Sequence, residues 1–179
     1  MSAETAYRKL IIDTSESMHE LGVRLGEVFN RGDLVILTGP LGAGKTTLSR
    51  GIGEGLRVRG PVTSPTFVLA RTHPSLADGP PLVHVDAYRL GSAAELDDLD
   101  IDFEHSVVLV EWGDGMVDLP EAWLHIVIER PMGAGVGVGA VTDAVSSEQQ
   151  MHDPAVHESD EPRSVIITGY GERWRGVSF

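Results

Sequence analysis

The stretch Gly39-Pro40-Leu41-Gly42-Ala43-Gly44-Lys45-Thr46 decides the fold of this 179-residue chain. Gly39 and Gly44 are separated by four residues, and Lys and Thr follow, which is the spacing of a phosphate-binding loop. The apolar run Leu34–Thr38 comes before the loop, and the segment Lys45–Gly55 after it has the pattern of a helix. Strand, glycine loop and helix in this order favour a nucleoside triphosphate site over a simple glycine-rich turn.

The residue types of this loop explain how it would hold phosphate. Glycine allows the backbone to curl so that successive N–H groups point inward and form an anion-binding nest. The N-terminus of the following helix adds about half a positive charge behind these donors. We expect residues 39–47, including Thr47, to bind the nucleotide, with Lys45 reaching the β- and γ-phosphates and the Thr46 hydroxyl taking one position on Mg²⁺.

Two other predicted strands end in a carboxylate. Asp86 follows the apolar run 82–85, and Glu111 follows the run 107–110. Ligands of parallel sheets gather at the carboxyl ends of strands, so both side chains would reach the γ-phosphate if both strands neighboured the strand before the loop. Hydrolysis needs an acidic residue that holds Mg²⁺ or polarises water, and either carboxylate could serve. A purely structural role, in which each carboxylate caps the following turn, stays open.

The spacing of apolar segments predicts an α/β fold of the P-loop NTPase type, a three-layer sandwich with a mostly parallel central sheet. A short strand over residues 7–12 opens the chain, and residues 13–15 offer cap oxygens for a helix that runs to about Asn30. Further strands are expected over residues 67–71 and 124–130. Residues 164–168 are expected to form a C-terminal hairpin with the last of these strands.

A change of composition at residue 131 divides the chain into three parts. Residues 1–130 form the predicted core, residues 131–163 a flexible insertion rich in Gly, Ala and acidic residues, and residues 164–179 a strand and tail that complete the core. Residues 133–140 contain a GxGxxA pattern, but no amphipathic helix follows, so a dinucleotide site is rejected. His152 and His157 are interpreted as solvent-exposed side chains and not as metal ligands.

The charge and cysteine content exclude several classes of function. The net charge of −13 comes from 27 acidic and 14 basic residues. Because no Lys/Arg cluster is visible, direct binding to a nucleic-acid backbone is not expected. The chain has no cysteine, which excludes disulfides and thiolate metal sites. It shows neither an apolar run near the ~20 residues that span a bilayer nor the pattern of an export signal, so we expect no membrane association and a cytoplasmic location.

Four motifs in one order resemble the TsaE family, also called YjeE. They are GPLGAGKTT at residues 39–47, Ser64-Pro65-Thr66-Phe67, His84-Val85-Asp86-Ala87-Tyr88-Arg89-Leu90 and Val110-Glu111-Trp112. The last three motifs together are more specific than the glycine loop, and the similarity covers roughly residues 5–130. Members of this family are small bacterial ATPases required for the threonylcarbamoyladenosine (t6A) modification of tRNA.

The resemblance implies roles for particular residues. It implies that MgATP is the ligand, with Thr46 and Glu111 as magnesium ligands and Asp86 beside the γ-phosphate. Together with Lys45, the two carboxylates would form the catalytic set. Trp112 would lie beside the nucleotide.

The resemblance also implies roles for two further segments and a set of partner proteins. Residues 64–66 would act as a switch-like loop, and residues 14–16 would lie near the base. The family's partners are TsaD, which transfers the threonylcarbamoyl group to adenosine, and TsaB, its scaffold. TsaE supplies ATP hydrolysis that resets this assembly and does not itself modify tRNA.

Other functions stay open at this point. A small-molecule kinase would need an acceptor pocket and an arginine-bearing lid, and the sequence offers only an acidic insertion. A non-catalytic module would use ATP only to change its affinity for a partner. A GTPase is less favoured, because the Asn-Lys-x-Asp guanine motif is absent. No arginine finger is assigned, and Arg71 and Arg89 are candidates by position alone.

Overall fold

The computed structural model describes residues 3–63, 69–90, 92, 95, 98–113, 119–130 and 161–179. In these ranges, each of the first two strands is followed by an α-helix, and five further strands come after the second helix. The strands are β1 (Glu4–Ile12), β2 (Leu34–Thr38), β3 (Ala70–His73), β4 (Leu82–Asp86), β5 (Val107–Glu111), β6 (Trp123–Glu129) and β7 (Arg163–Tyr170). The helices are α1 (Ser15–Val28) and α2 (Lys45–Gly55), with short 3-10 helices at Ala87–Arg89 and Glu172–Trp174.

The described strands form one seven-stranded sheet in the order β1-β7-β6-β2-β5-β4-β3. Its centre is parallel, because β2 pairs in parallel with both β5 and β6, and β5 pairs in parallel with β4. The edges are antiparallel, since β3 pairs with β4 and β7 pairs with both β6 and β1. The predicted α/β fold with a mostly parallel central sheet and a C-terminal hairpin is therefore confirmed.

Helix α1 begins at the predicted cap. The Thr14 hydroxyl accepts a hydrogen bond from the Ser17 N–H at 3.1 Å, which satisfies one of the free donors of the first turn. Met18, Leu21 and Leu25 form the buried stripe that the helical spacing predicts. The helix ends at Val28, two residues before the predicted end, because Phe29 takes an extended conformation.

Helices α1 and α2 pack backbone against backbone through glycines. A Cβ on Gly22 would lie 2.3 Å from the Leu48 carbonyl oxygen, and one on Gly51 would lie 2.1 Å from the His19 carbonyl oxygen. The same relation recurs one turn later, where a Cβ on Gly26 would lie 2.4 Å from the Ile52 oxygen. This close crossing fixes the start of α1 beside the glycine loop, from which α2 begins.

Both faces of the sheet are covered. The face that carries Val35, Leu37 and Leu109 packs against α1 and α2 in one buried cluster. The opposite face, with Ile36 and Val110 at its centre, packs against Leu90, Leu99 and Ile101. No helix in the described ranges is both long and apolar enough to cross a membrane.

Several predictions from the sequence fall on residues outside the described ranges. These are the loop 64–66 and nearly all of the insertion, with residues 133–140, His152 and His157. The strand predicted over residues 67–71 is described from residue 69, and there β3 begins at Ala70. The hairpin strand β7 is longer than predicted, and Glu129 pairs with Ser164 at its start.

Candidate functional site

The glycine loop adopts a conformation that requires glycine. Gly42 and Gly44 have φ angles of 73° and 105°, which lie in the left-handed region that side chains rarely adopt. A Cβ on Gly39 would lie 2.8 Å from the Ile128 carbonyl oxygen, so β6 also leaves no room there. Gly44 is the N-cap residue of α2, and it aims the helix N-terminus at the interior of the loop.

Lys45 lies inside this loop, although lysine is seldom buried. Only 7% of its surface is exposed. Its Nζ donates to the carbonyl oxygens of Gly39 and Pro40 at 2.8 and 3.2 Å, and lies 4.1 Å from the centre of the Trp112 ring. Burial lowers the pKa of Lys45 below its usual 10.5, while the charges of Glu111 and Asp86 oppose this shift.

The two carboxylates end neighbouring strands at the same sheet edge. Asp86 and Glu111 are register partners in the β4–β5 ladder, and they are 8% and 4% exposed. β5 neighbours β2, but β4 lies one strand further out, so the condition that both strands flank the loop strand is not met. Both carboxylates still interact electrostatically with Lys45. The Asp86 carboxylate also accepts a hydrogen bond from the Tyr88 N–H at 3.2 Å, so it caps the following 3-10 helix as well.

His84 is a site residue that sequence reasoning did not identify. Its side chain is fully buried, and its Nε2 lies 2.8 Å from Glu111 Oε1. Residues two apart on a strand share a face, so His84 and Asp86 point to the same side of the sheet. The available signal was a single polar residue inside the otherwise apolar run 82–85.

Trp112 forms one wall of the site directly after Glu111. It holds a left-handed backbone conformation with φ of 62°, which is uncommon outside glycine. Its N–H donates to the Leu37 carbonyl oxygen at 3.1 Å and thereby ties it to the strand before the loop. Its ring contacts Lys45 Nζ, and its centre is 5.7 Å from the ring centre of the exposed Tyr88.

The first turn of α2 and the start of α1 enclose a small cavity. Thr14, Ser15, Gly44 and Thr47 line it, together with Arg163 from β7. The structure thus brings residues 14 and 15, expected near the base, to the glycine loop. It also brings Arg163 there, a residue that no sequence motif identifies, because β7 lies far away along the chain.

The remaining predicted residues are distributed around the loop. Leu41 projects into solvent with 89% of its surface exposed, whereas Ala43 is buried. Thr46 lies in the first turn of α2 and is partly buried. Arg71 is exposed and donates to the Thr63 hydroxyl at 3.1 Å, and the side chain of Arg89 lies outside the described part of the chain.

The two carboxylates at this sheet edge have the chemistry of a magnesium site. Within the described ranges, no group of three or more His, Asp or Glu side chains is arranged to hold a metal by protein ligands alone. Mg²⁺ is usually held by one or two carboxylates together with phosphate and water oxygens. Two buried carboxylates beside a buried lysine fit that pattern.

These features define the chain as an α/β protein with a P-loop-like fold. The family model for "Threonylcarbamoyl adenosine biosynthesis protein TsaE" matches residues 12–134, which include the loop and both carboxylates. The Streptomyces coelicolor protein named tRNA threonylcarbamoyladenosine biosynthesis protein TsaE is 53% identical over 161 residues, which are 88% of this chain and 93% of that protein. The chain belongs to the TsaE family.

Two further comparisons agree with this assignment. The TsaE protein of Mycobacterium tuberculosis (strain H37Rv) is 53% identical over 120 residues, which cover 62% of this chain and 71% of that protein. The crystal structure of Bacillus subtilis YdiB superimposes with a TM-score of 0.61 at 28% identity, over 94% of this chain and 89% of that one.

Proposed function

We propose that this chain binds MgATP in the glycine loop and hydrolyses it as a component of the t6A tRNA-modification machinery. The observation that carries the proposal is the buried Lys45, which lies in a phosphate-binding loop and interacts with the carboxylates of two neighbouring strand ends. Membership of the TsaE family supplies the biosynthetic context. Neither feature alone would distinguish an ATPase from another phosphate-binding protein.

Lys45 and the loop amides stabilise negative charge in this proposal. Nζ exchanges the carbonyl oxygens of Gly39 and Pro40 for phosphate oxygens when a nucleotide binds, because a lysine ammonium binds an anion more strongly than a neutral carbonyl. The backbone N–H groups of the loop, other than at Pro40, which has none, would donate to the phosphates as well. Preorganised donors of this kind are usually the largest single contribution to phosphoryl-transfer catalysis.

Glu111 and Asp86 have different roles in this proposal. Thr46 and Glu111 would hold Mg²⁺, which supplies charge neutralisation and orientation of the phosphates when bound. Asp86, on the next strand outward, would orient or activate the attacking water. Trp112 would contact the nucleotide and residues 14–16 would lie near the base, on the side where the cavity between α1 and α2 opens.

The resemblance to the family supports a proposal for the partners, and the charge of the chain is compatible with it. We propose that TsaD-like and TsaB-like proteins form the assembly on which hydrolysis acts, in the cytoplasm. At a net charge of −13, the chain itself is not expected to grip the tRNA backbone. The tRNA would then contact the partners, and this chain would contribute ATP turnover.

Phosphate release in the presence of TsaB and TsaD tests the proposal. The chain has two lysines, so Lys9→Met is a matched control for Lys45→Met. We expect Lys45→Met and Glu111→Gln to lower stimulated release by about 100-fold or more, as removal of one charge-stabilising group does. Lys9→Met should act like the wild type.

Three outcomes would contradict the proposal. Unchanged release in Lys45→Met would exclude the loop as the catalytic site. Transfer of phosphate to an added small-molecule acceptor in place of water would indicate a kinase. Full support of t6A formation with a non-hydrolysable ATP analogue would indicate a binding module that does not need hydrolysis.

A further inference from the structure

Glu111 contacts His84, a side chain that has no role in the proposed mechanism. Both side chains are almost completely removed from solvent, at 0% and 4% exposure, and the contact between Nε2 and Oε1 is 2.8 Å long. The other ring nitrogen, Nδ1, is buried and has no hydrogen-bond partner. A buried ring with one unpaired nitrogen lowers the stability of the sheet. Such a residue therefore calls for an explanation other than stability.

The chemistry of the pair determines where the ring proton is. With Glu111 ionised, as a magnesium ligand must be, the contact is attractive only if Nε2 carries a hydrogen and donates it. The 2.8 Å contact therefore has His84 Nε2–H as its donor and Glu111 Oε1 as its acceptor.

We propose that His84 is a positioning residue for Glu111, which it holds in the orientation needed to receive Mg²⁺. Oε1 is engaged by the ring, so Oε2 is the oxygen available to a metal. The ring itself is rigid, because it lies within β4 next to Leu109 of β5 in the ladder. A glutamate has three rotatable side-chain bonds, and this contact removes most of that freedom before a metal arrives.

This inference rests on the proposed function, since it assigns a partner to the proposed metal ligand. It makes a separate prediction about binding. Loss of the His84 contact should weaken the contribution of magnesium to nucleotide affinity and leave the affinity for metal-free nucleotide intact. A residue that only stabilises the sheet would affect both affinities or neither.

Calorimetric titration with ADP, in excess Mg²⁺ and separately in excess EDTA, measures the two affinities. For His84→Leu we expect the gain in affinity on adding Mg²⁺ to fall about 10-fold, as removal of a ligand's hydrogen-bond partner usually does. Affinity in EDTA should stay within about twofold of the wild type by the same argument. His84→Gln, which can still donate an N–H to Oε1, should recover most of the magnesium dependence.

His73→Leu is the matched control. His73 is also buried, at 5% exposure, and lies on the adjacent strand β3, but no hydrogen bond joins it to either carboxylate. We expect its magnesium dependence to equal that of the wild type. An unchanged magnesium dependence in His84→Leu, or an equal loss of affinity with and without Mg²⁺, would overturn the positioning role.

The tautomer gives a second test, which applies even if His84→Leu does not fold. Long-range ¹H–¹⁵N NMR spectra of the wild-type protein should show a hydrogen on Nε2 of His84. Hydrogen on Nδ1 alone would overturn the inference, because Nε2 could not then donate to Glu111. Wild-type protein that binds no magnesium nucleotide but shows the expected tautomer would instead contradict the proposed function.

Discussion

Lys45 and Lys9 are the same amine in opposite surroundings. Lys45 is buried and donates to two carbonyl oxygens, whereas Lys9 lies on the exposed side of the edge strand β1. Burial lowers the pKa of Lys45, which makes its free amine more abundant, but a reagent must still reach it. Accessibility should dominate, because the side chain is enclosed by the loop and Trp112.

We therefore predict that an amine-acylating reagent modifies Lys9 faster than Lys45. MgATP should slow the modification of Lys45 further and leave Lys9 unchanged. Peptide mass spectrometry over a time course measures both rates in one sample, and Lys9 is the internal control. Equal rates at the two lysines would contradict the buried position of Lys45, and no protection by MgATP would count against the proposed nucleotide site.

His73 should make stability depend on pH. Burial lowers its pKa below the usual 6.5, opposed by a backbone hydrogen bond with Arg59. The unfolded chain then binds a proton that the folded chain does not, so stability is complete above about pH 6.5 and falls as the pH drops below it. Urea unfolding at about pH 7.5 and about pH 5.5 should show this loss, and His73→Gln should reduce it.

The exposed His105 gives the control for that measurement. Its side chain is 70% exposed and paired with Asp102 at 2.9 Å. His105→Gln should leave the loss of stability between the two pH values as large as in the wild type. A loss in His73→Gln as large as that of the wild type would show that other groups cause the pH dependence.

An alanine at the crossing of α1 and α2 would have two opposite effects on stability, a gain in helix propensity and a steric overlap. Alanine in place of a mid-helix glycine stabilises a helix by about 0.5–1 kcal/mol. In Gly51→Ala, however, the new Cβ would meet the His19 carbonyl oxygen at 2.1 Å and the Gly22 Cα at 2.9 Å. Both neighbours are backbone atoms, so the helices must separate.

We predict that Gly51→Ala lowers the free energy of unfolding by about 1–3 kcal/mol, because overpacking outweighs helix propensity. Glu20→Ala, on the exposed face of α1, should change it by less than about 0.5 kcal/mol. Urea denaturation of both variants measures the difference. A Gly51→Ala variant as stable as the wild type or more so would mean that the helices are not in backbone contact.

The bounds predicted most accurately belong to the strands buried on both faces and to the helix that begins at the glycine loop. β2, β4, β5 and α2 have the predicted bounds, because each strand is buried on both faces and the glycine loop fixes the helix start. β1 begins three residues before its predicted start, at Glu4. The added residues 4–6 carry no apolar pattern, and pairing with β7 makes them part of the strand.

Single site residues could be predicted where each lies in a local motif, but contacts between distant segments could not. The loop, Lys45 and the two strand-end carboxylates could be named from local sequence. The His84–Glu111 contact depends on the register of β4 against β5, and the place of Arg163 depends on the order of seven strands. Neither register nor strand order follows from one sequence, because both result from packing across the whole sheet.

At the scale of the whole molecule, an ion pair ties the C-terminal segment to the turn before β2. Arg173 donates through Nε and Nη2 to the two oxygens of Asp33, at 3.0 and 2.9 Å. Asp33 is 5% exposed and also accepts from the Asn30 N–H at 2.8 Å. Removal of the arginine would leave a buried carboxylate without its cation.

We predict that Arg173→Gln destabilises the protein by about 2 kcal/mol, less than a fully buried pair because the arginine is partly exposed. Arg175→Gln is the control, since Arg175 and Glu172 are 67% and 78% exposed in their own ion pair. That change should cost less than about 0.5 kcal/mol. Thermal and urea unfolding of both variants test this, and equal effects would contradict the distinction.

Strand β7 hydrogen-bonds on both sides, to β1 and to β6, although residues 130–162 separate it from β6 along the chain. The chain up to β6 therefore lacks an internal strand, and the final residues supply it. Two co-expressed polypeptides, 1–145 and 146–179, should consequently associate into one folded protein. Val165→Asp in the short polypeptide should prevent this, because Val165 is fully enclosed in the assembled sheet. Co-purification through a tag on either piece would show whether one continuous chain is needed.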